Sequence, residues 1–261
     1  MSGNIPAADT GERVTTSEGG YNPTWQRHVA AYAAVRTFVA GPLVLDVGSG
    51  VGHSYELLGS PTVGLDYDEA ALRGQARPVV RADMRRLPLR DRSMSGVVSV
   101  QSLEHVPDPL TVVREVARVV ESSGTSVFVT PNRLTFGRPD EIIDPWHFVE
   151  FDAADLAQVC RQSFDDVTVL GLFGSERYRA FADAEHRRLD RLLGLDPLRL
   201  RRWVPRTARQ RAYGALLRRA RRPGARAHPI AALITQEDFF LADGPIEDCL
   251  DLVAVCRRPL S

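Results

Sequence analysis

"LVLDVGSGVG", Leu43 to Gly52, is an apolar strand that runs straight into a turn with glycines at 48, 50 and 52. Glycines in such a turn let the backbone approach a ligand closely, and the helix expected next offers its free N–H groups at the same place. A dinucleotide-binding turn would carry a further glycine at 53, where His53 stands, and would keep acids out of the approach, where Asp46 stands. A carboxylate there repels a pyrophosphate but attracts an ammonium group. S-adenosylmethionine carries an ammonium and a sulfonium and no phosphate, so the loop suits that cofactor better than NAD.

Outward from this turn, four further β-branched runs alternate with helical patterns: "TVGLD" (62–66), "PVVRAD" (78–83), "GVVSVQ" (96–101) and "SVFVTPN" (126–132). Such alternation predicts βαβ units around a parallel sheet. "DPLTVVREVARVVESSG" (108–124) reads as a crossover helix, with Asp108 as N-cap, Val112, Val113, Val116, Val119 and Val120 at helical spacing, and Gly124 as the stop. A helix over "FDAADLAQVCRQSF" (151–164), a strand over "VTVLGLF" (167–173) and a last strand over "CLDLVAVCRR" (249–258) follow. An arginine-rich insertion, about 175–246, precedes the last strand, and "RRPGARAHP" (221–229) reads as a connector.

With 261 residues and 44% hydrophobic content, the chain can bury one large α/β core with an elaboration. No early apolar run has the length of a leader or a membrane span, which makes the cytoplasm the default expectation. Cys160, Cys249 and Cys256 are odd in number and lack metal-ligand spacing, so they read as buried thiols. Net charge is zero, yet residues 187–226 hold 14 arginines against Asp190 and Asp196. Two helices with solvated arginine faces is the plain reading; a surface for an anionic partner is the sharper one. Nucleic acid is disfavoured, because only Trp203 and Tyr213 interleave the arginines.

Acids follow each of the first strands. Asp66 lies 18 residues after Gly48, near the spacing of about 20 at which an acid takes ribose hydroxyls in nucleoside-binding sheets. Asp83 is placed to accept from an adenine amino group, with Met84 and Tyr67 as apolar walls for the base.

Through "LDVGSGVG", "GLDYD", "RADMRRLPL", "VVSVQSLEHVPDP" and "VFVTPN", the chain resembles the class I S-adenosylmethionine-dependent methyltransferases over about residues 43–173. That resemblance implies a Rossmann-like α/β fold: a seven-stranded, mostly parallel sheet with helices on both faces, a helical insertion, and "CLDLVAVCRR" as the antiparallel last strand. Carried over, Asp46, Gly48, Ser49 and Gly50 line the methionine end, Asp66 binds ribose, and Asp83 and Met84 border adenine. Ser95 stands where an acid usually opens the fourth strand, and Ser122-Ser123 replaces the usual Pro-Gly before Gly124. The expected organisation is an N-terminal lid and pre-core helix (1–42), the cofactor core (43–174), the insertion as an acceptor lid (175–246) and the last core strand (247–261).

In this topology the fourth strand ends beneath the transferable methyl, which gives Gln101, Glu104 and His105 a purpose. A second polar cluster, "DPWHFVEF" with His147 and Glu150, follows the fifth strand, so His147 is expected to meet His105 over the cofactor. Glu104-His105 with a later H-x-x-E-F is similar to magnesium-dependent RNA 2′-O-methyltransferases and, in its first part, to ubiquinone-pathway O-methyltransferases. Those read E-x-x-E-H, and Gln101 in place of the first acid weakens a magnesium site on Glu104, His105 and His147. More loosely, "TGERV", "WQRHVAAY", "PNRLTF" and "ITQEDFFLADGPIEDCLDLVAVC" resemble actinobacterial sugar O-methyltransferases, with Arg27 and His28 facing the methionine end or the acceptor. The combined expectation is a methyltransferase acting on a sugar or oligosaccharide hydroxyl, with His147 as general base beside Glu104 and His105. A natural-product O- or N-methyltransferase, a cofactor-binding scaffold and a homodimeric assembly stay open.

Overall fold

The computed structural model describes residues 23–220 and 230–260, apart from positions 53, 54, 74, 139, 140, 195, 197, 198 and 243. The expectations placed on residues 1–22, on His53 and on the connector 221–229 lie outside the described residues.

In chain order the elements are α1 (Pro23–Val35), β1 (Val44–Val47), α2 (Tyr55–Leu58), β2 (Thr62–Asp66), α3 (Glu69–Leu72), β3 (Val79–Arg81) and β4 (Met94–Val100). They continue with α4 (Pro109–Val119), β5 (Val120–Pro131), α5 (Ala153–Arg161), β6 (Phe164–Gly174), α6 (Glu176–Leu193), α7 (Arg206–Ala220), β7 (Phe239–Ala242) and β8 (Asp251–Pro259). The sheet runs β3-β2-β1-β4-β5-β8-β6-β7. β1 to β5 pair in parallel, and β8 lies antiparallel between β5 and β6.

This is the Rossmann-like class I methyltransferase fold, with eight strands where seven were expected. The additional strand is β7, antiparallel to β6 at the sheet edge. It falls inside the segment read as a helical insertion, so that segment is not helical throughout.

Both faces of the central strands are covered, which explains their continuous apolar runs. β1 and β4 are buried at every position. Phe128 packs on one face with Leu45, Val97 and Leu156, while its neighbours Val127 and Val129 pack on the other with Val98, Val253 and Tyr32 of α1. Asp108 caps α4 by accepting from the Thr111 amide, and Asp152 caps α5 by accepting from the Asp155 amide.

Two boundaries differ clearly from the sequence reading: Phe164, read as the end of a helix, is the first residue of β6, and the end of α4 is displaced as well. α4 ends at Val119, and Val120 is already extended as the first residue of β5. Gly124 is therefore not a helix stop but a point of close strand approach: a Cβ there would lie 2.7 Å from the Ser95 carbonyl oxygen. Ser95, in turn, donates to the Leu43 carbonyl at 2.6 Å and accepts from the Leu43 amide at 3.0 Å, tying the start of β4 to the entry of β1.

The strand order reverses between β1 and β4. In open α/β sheets, ligands bind beyond the carboxyl ends of the strands at such a switch point.

Candidate active site

A cavity of about 570 Å³ opens at this position, in the size range of small-molecule sites. Its floor is the turn after β1. Gly48 has φ +78°, and a Cβ on it would lie 2.5 Å from the Ser102 Cβ, so only glycine fits. Ser102 is itself fixed, donating to the Val47 carbonyl at 3.1 Å and paired with Ser99 at 2.8 Å. Asp66, at the end of β2, accepts from the Gly50 amide at 2.9 Å through one oxygen and from the Asp68 amide at 2.8 Å through the other. These two bonds hold the carboxylate at the cavity wall.

The residues present fit S-adenosylmethionine. Gly48, Ser49, Gly50, Asp66, Tyr67, Asp83, Met84 and Gln101, all expected at the cofactor, line this one cavity. The Ser49 hydroxyl is buried against the turn without a hydrogen-bond partner among the described residues, an orphan polar atom of the kind a ligand satisfies. Asp83 is held by Arg85, whose hydrogen bond to it keeps its carboxyl below the ordinary range, so it is an anionic acceptor at the wall. Tyr67 is 73% exposed, at the lip.

Asp46 is the exception. It is fully buried and is not part of the wall; Tyr32 lines the cavity there, and its hydroxyl donates to the two Asp46 oxygens at 3.1 and 3.3 Å. The physical reason is the pleat: Asp46 lies within β1, one residue short of its end, and α1 covers that face. Tyr32 itself was missed by sequence reasoning, although it closes "WQRHVAAY".

If Asp66 holds ribose hydroxyls, Asp66→Ala removes charge-assisted hydrogen bonds worth about 1.5–3 kcal/mol each. S-adenosylhomocysteine affinity should fall at least about tenfold. Calorimetry showing unchanged affinity in that variant refutes the assignment.

Gln101 turns the chain out of β4 with φ +53°, an uncommon conformation for a residue other than glycine. Its amide nitrogen donates to Asp251 at the start of β8, and Asp251 also receives two hydrogen bonds from Arg27 of α1. Arg27 donates further to the Leu250 carbonyl at 2.7 Å. Burial alone would favour loss of the Arg27 proton, but Asp251 holds it firmly protonated. Arg27 thus braces the site rather than facing the acceptor. Asp251 was not found by sequence reasoning, because nothing local marks a residue 150 positions from Gln101.

The expected meeting of His105 and His147 occurs. Their rings stand edge to face with centroids 5.1 Å apart, and one ligand atom each of Glu104, His105 and His147 lies within 4.8 Å of the others. Glu104 is buried, accepts from the Thr130 hydroxyl at 3.0 Å, and through its carbonyl receives the Phe148 amide at 2.8 Å. That last bond joins the two clusters across 44 residues. Burial pushes the Glu104 carboxyl above the usual range, against the pull of the two imidazoles.

His147 Nδ1 lies 3.0 Å from a Glu150 oxygen; with a carboxylate as partner, Nδ1 carries the hydrogen and Nε2 is left as the basic nitrogen. Burial lowers the His147 pKa, but the bond to Glu150 and the charges of Glu104 and Asp144 outweigh it and raise the value above ordinary. Of the three residues in the cluster, His105 reaches the cavity wall, with Glu104 and His147 behind it. His28 of α1 also lines the cavity; burial and the neighbouring Arg27 push its pKa down to about 4, so it is neutral there.

α7 fixes the His147 loop from outside. Arg206 donates to the carbonyls of Pro145 (2.8 Å), Trp146 (2.9 Å) and His147 (3.3 Å), and its guanidinium lies 3.4 Å over the Phe148 ring. Trp146 meets Tyr213 of α7 edge to face.

The Methyltransferase domain family matches residues 45–128, the stretch holding every strand from β1 to most of β5. Over its length, the chain is 31% identical to the "Probable S-adenosylmethionine-dependent methyltransferase" of Mycobacterium tuberculosis, covering 96% of this chain and 89% of that protein. It is 32% identical to the corresponding Mycolicibacterium smegmatis protein, covering 96% and 95%. A shorter match, 36% identity over 36% of this chain and 43% of the relative, joins it to the ubiquinone biosynthesis O-methyltransferase of Albidiferax ferrireducens. Among solved structures, a S-adenosylmethionine-dependent methyltransferase of Thermotoga maritima superposes with TM-score 0.60 at 16% identity, covering 90% of this chain and 91% of the other. The [4+2]-cyclase SpnF superposes with TM-score 0.53 at 17% identity, covering 92% and 82%, a likeness of fold alone.

Proposed function

Because the chain belongs to the S-adenosylmethionine-dependent methyltransferases, we propose that it methylates a hydroxyl of a sugar or oligosaccharide, with His147 as the proton acceptor. The observation that carries this reading is the His147–Glu150 pair directly behind His105, the member of the cluster that lines the cavity. A sugar hydroxyl is a weak acid, and its attack on a methyl carbon is helped by a neutral imidazole that takes the proton as the C–O bond forms. S-adenosylmethionine, when bound, supplies the electrophilic methyl and leaves as S-adenosylhomocysteine.

In this reading Asp66 orients the ribose, Asp83 and Met84 the adenine, and Gly48, Ser49 and Gly50 the methionine end. Asp46 acts on that end through Tyr32. His105 and His28 face the acceptor, and Glu150 keeps the basic nitrogen of His147 turned away from its own carboxylate. The segment 175–246 serves as the acceptor lid, a role supported by the hold of Arg206 and Tyr213 on the His147 loop.

Magnesium fits this centre loosely. Glu104, His105 and His147 converge, but magnesium prefers oxygen ligands, and only one carboxylate is offered. Gln101 adds at best a neutral amide oxygen. Were a divalent ion held by these three residues, it would lower the pKa of an acceptor hydroxyl. No step of the mechanism depends on it.

A phenolic acceptor is the second reading, favoured by the match of the core to the ubiquinone biosynthesis O-methyltransferase. The two separate in one screen: transfer of labelled methyl to mannosides, glucosides and phenols, each with chelator and with added magnesium. The sugar reading expects incorporation into glycosides that survives chelation. Incorporation confined to phenols overturns it.

A further inference from the structure

The arginine-rich segment presents a feature that the catalytic site does not use. Between α6 and α7, a single turn of tight helix, Leu200–Trp203, carries three apolar side chains into solvent: Trp203 is 86% exposed, Leu200 60% and the adjoining Val204 42%. Single exposed apolar residues are ordinary, but three within five positions, one of them a tryptophan, form a patch.

This turn is built, not frayed. Arg199 enters it with φ +52°, and Asp196 accepts from the amides of Leu200 (2.7 Å) and Arg201 (3.0 Å). The Arg201 side chain pairs with Asp196 at 3.1 Å and with Glu141, almost buried, at 2.6 Å. Asp196, Arg201 and Glu141 thus secure the backbone, while Leu200, Trp203 and Val204 are left outside. Arginines flank the patch in sequence on both sides. Arg187 and Arg191 of α6 and Arg211 of α7 are exposed and have no carboxylate partner among the described residues.

We propose that the Leu200–Val204 turn docks this enzyme on an anionic lipid surface, Trp203 and Leu200 entering the headgroup layer and exposed arginines of α6 and α7 meeting the lipid charges. Tryptophan is suited to the membrane interface, and arginine keeps its charge in water while its stem covers apolar surface. Basic residues at an anionic bilayer add electrostatic attraction to apolar insertion. Among the described residues no helix is long and apolar enough to cross a membrane, and the proposed contact is insertion at the surface.

Two other occupants fit less well. A second copy placed patch to patch would set one arginine-rich segment against the other, and like charges across an interface oppose association. Nucleic acid would engage the arginines and Trp203, but it gives exposed Leu200 and Val204 nothing to contact. The turn lies within the segment read as the acceptor lid, but the test reads lipid binding and no activity, so its outcome is separate from that reading.

The experiment is flotation of the full chain with vesicles of phosphatidylcholine alone and with one quarter phosphatidylglycerol. The expected result is flotation with the anionic vesicles only, release at 1 M salt, where the Debye length shrinks to about 3 Å, and a blue shift of tryptophan emission on binding. Trp203→Ser and Leu200→Ser should each weaken partitioning at least about tenfold while S-adenosylhomocysteine binding is retained, and Trp203→Ser should abolish the shift. Absence of flotation, equal flotation with neutral vesicles, or undiminished binding by both variants overturns the proposal. So does a wild-type dimer, seen by light scattering, that Trp203→Ser turns into a monomer, because the patch would then belong to a second copy.

Discussion

His147→Ala is expected to reduce turnover by about 10² to 10⁴ while leaving S-adenosylhomocysteine affinity within about twofold, the signature of a lost general base. The imidazole is not part of the cavity wall that the cofactor residues form, so its loss should not disturb cofactor binding. It is packed between Phe136, with ring centroids 5.0 Å apart, and His105, and truncation leaves a gap that costs stability as well. His147→Asn separates the two effects: it keeps much of the packing and a donor toward Glu150 but supplies no base. Equal losses in both variants favour the chemical role, and recovery in the asparagine variant assigns His147 to structure.

The pH profile gives an independent reading of the same residue. The His147 pKa is raised because Glu150, Glu104 and Asp144 stabilise the cation beyond what burial takes away. Turnover that needs the neutral ring should therefore climb with pH through a limb above the ordinary imidazole value of about 6.5. Stability runs the other way: a raised pKa stabilises the fold fully below the unfolded value, and that contribution disappears as pH passes the folded one. Initial rates and thermal midpoints measured from pH 5 to 9 should thus move in opposite directions across one window. A flat rate profile in the wild type would remove His147 from the proton transfer.

Much of this site was readable in the chain because its parts are local. The turn after β1 announces itself by glycine spacing, and Asp66 and Asp83 each close a β-branched run, so sheet topology alone carries them to one edge. His105 and His147 could be paired because each follows a strand end. Where sequence reading failed, the deciding contact was tertiary. Val119 and Val120 are both apolar, and helical periodicity cannot tell the last residue of α4 from the first of β5; the Ser95 carbonyl beside Gly124 decides it. "FFLA" of β7 is too short to stand out inside an arginine-rich segment, and it is a strand because β6 offers it an edge. Asp46 has the right chemistry at the right turn, yet α1 lays Tyr32 between it and the site, which only packing reveals.

Asp251 is the clearest instance of such a tertiary determinant, and Asp251→Ala should have the largest effect on stability of any change considered. Its side chain is fully buried and that of Arg27 is 13% exposed, so removing the carboxylate strands a guanidinium in the protein interior and frees the Gln101 amide. Breaking a buried pair from one side typically costs about 3–5 kcal/mol. Urea denaturation should show that loss as a lower midpoint at constant slope. Asp251→Asn, which keeps the shape and one of the two acceptor oxygens, should lose less, and the paired change Arg27→Met with Asp251→Leu should recover most of the stability, because well-packed apolar residues often replace a buried ion pair without loss. The site should feel the single change too. Gln101 holds a left-handed backbone that costs on the order of 1–3 kcal/mol and persists only where its surroundings impose it. Without Asp251 that constraint weakens at the end of β4, beside Ser102 and Gly48, so S-adenosylhomocysteine affinity should fall even where Asp251→Ala is still folded. The Met–Leu pair, stable but unable to anchor the Gln101 amide, should keep that binding defect. Full recovery of binding in the double variant would show that the Arg27–Asp251–Gln101 cluster serves the fold alone.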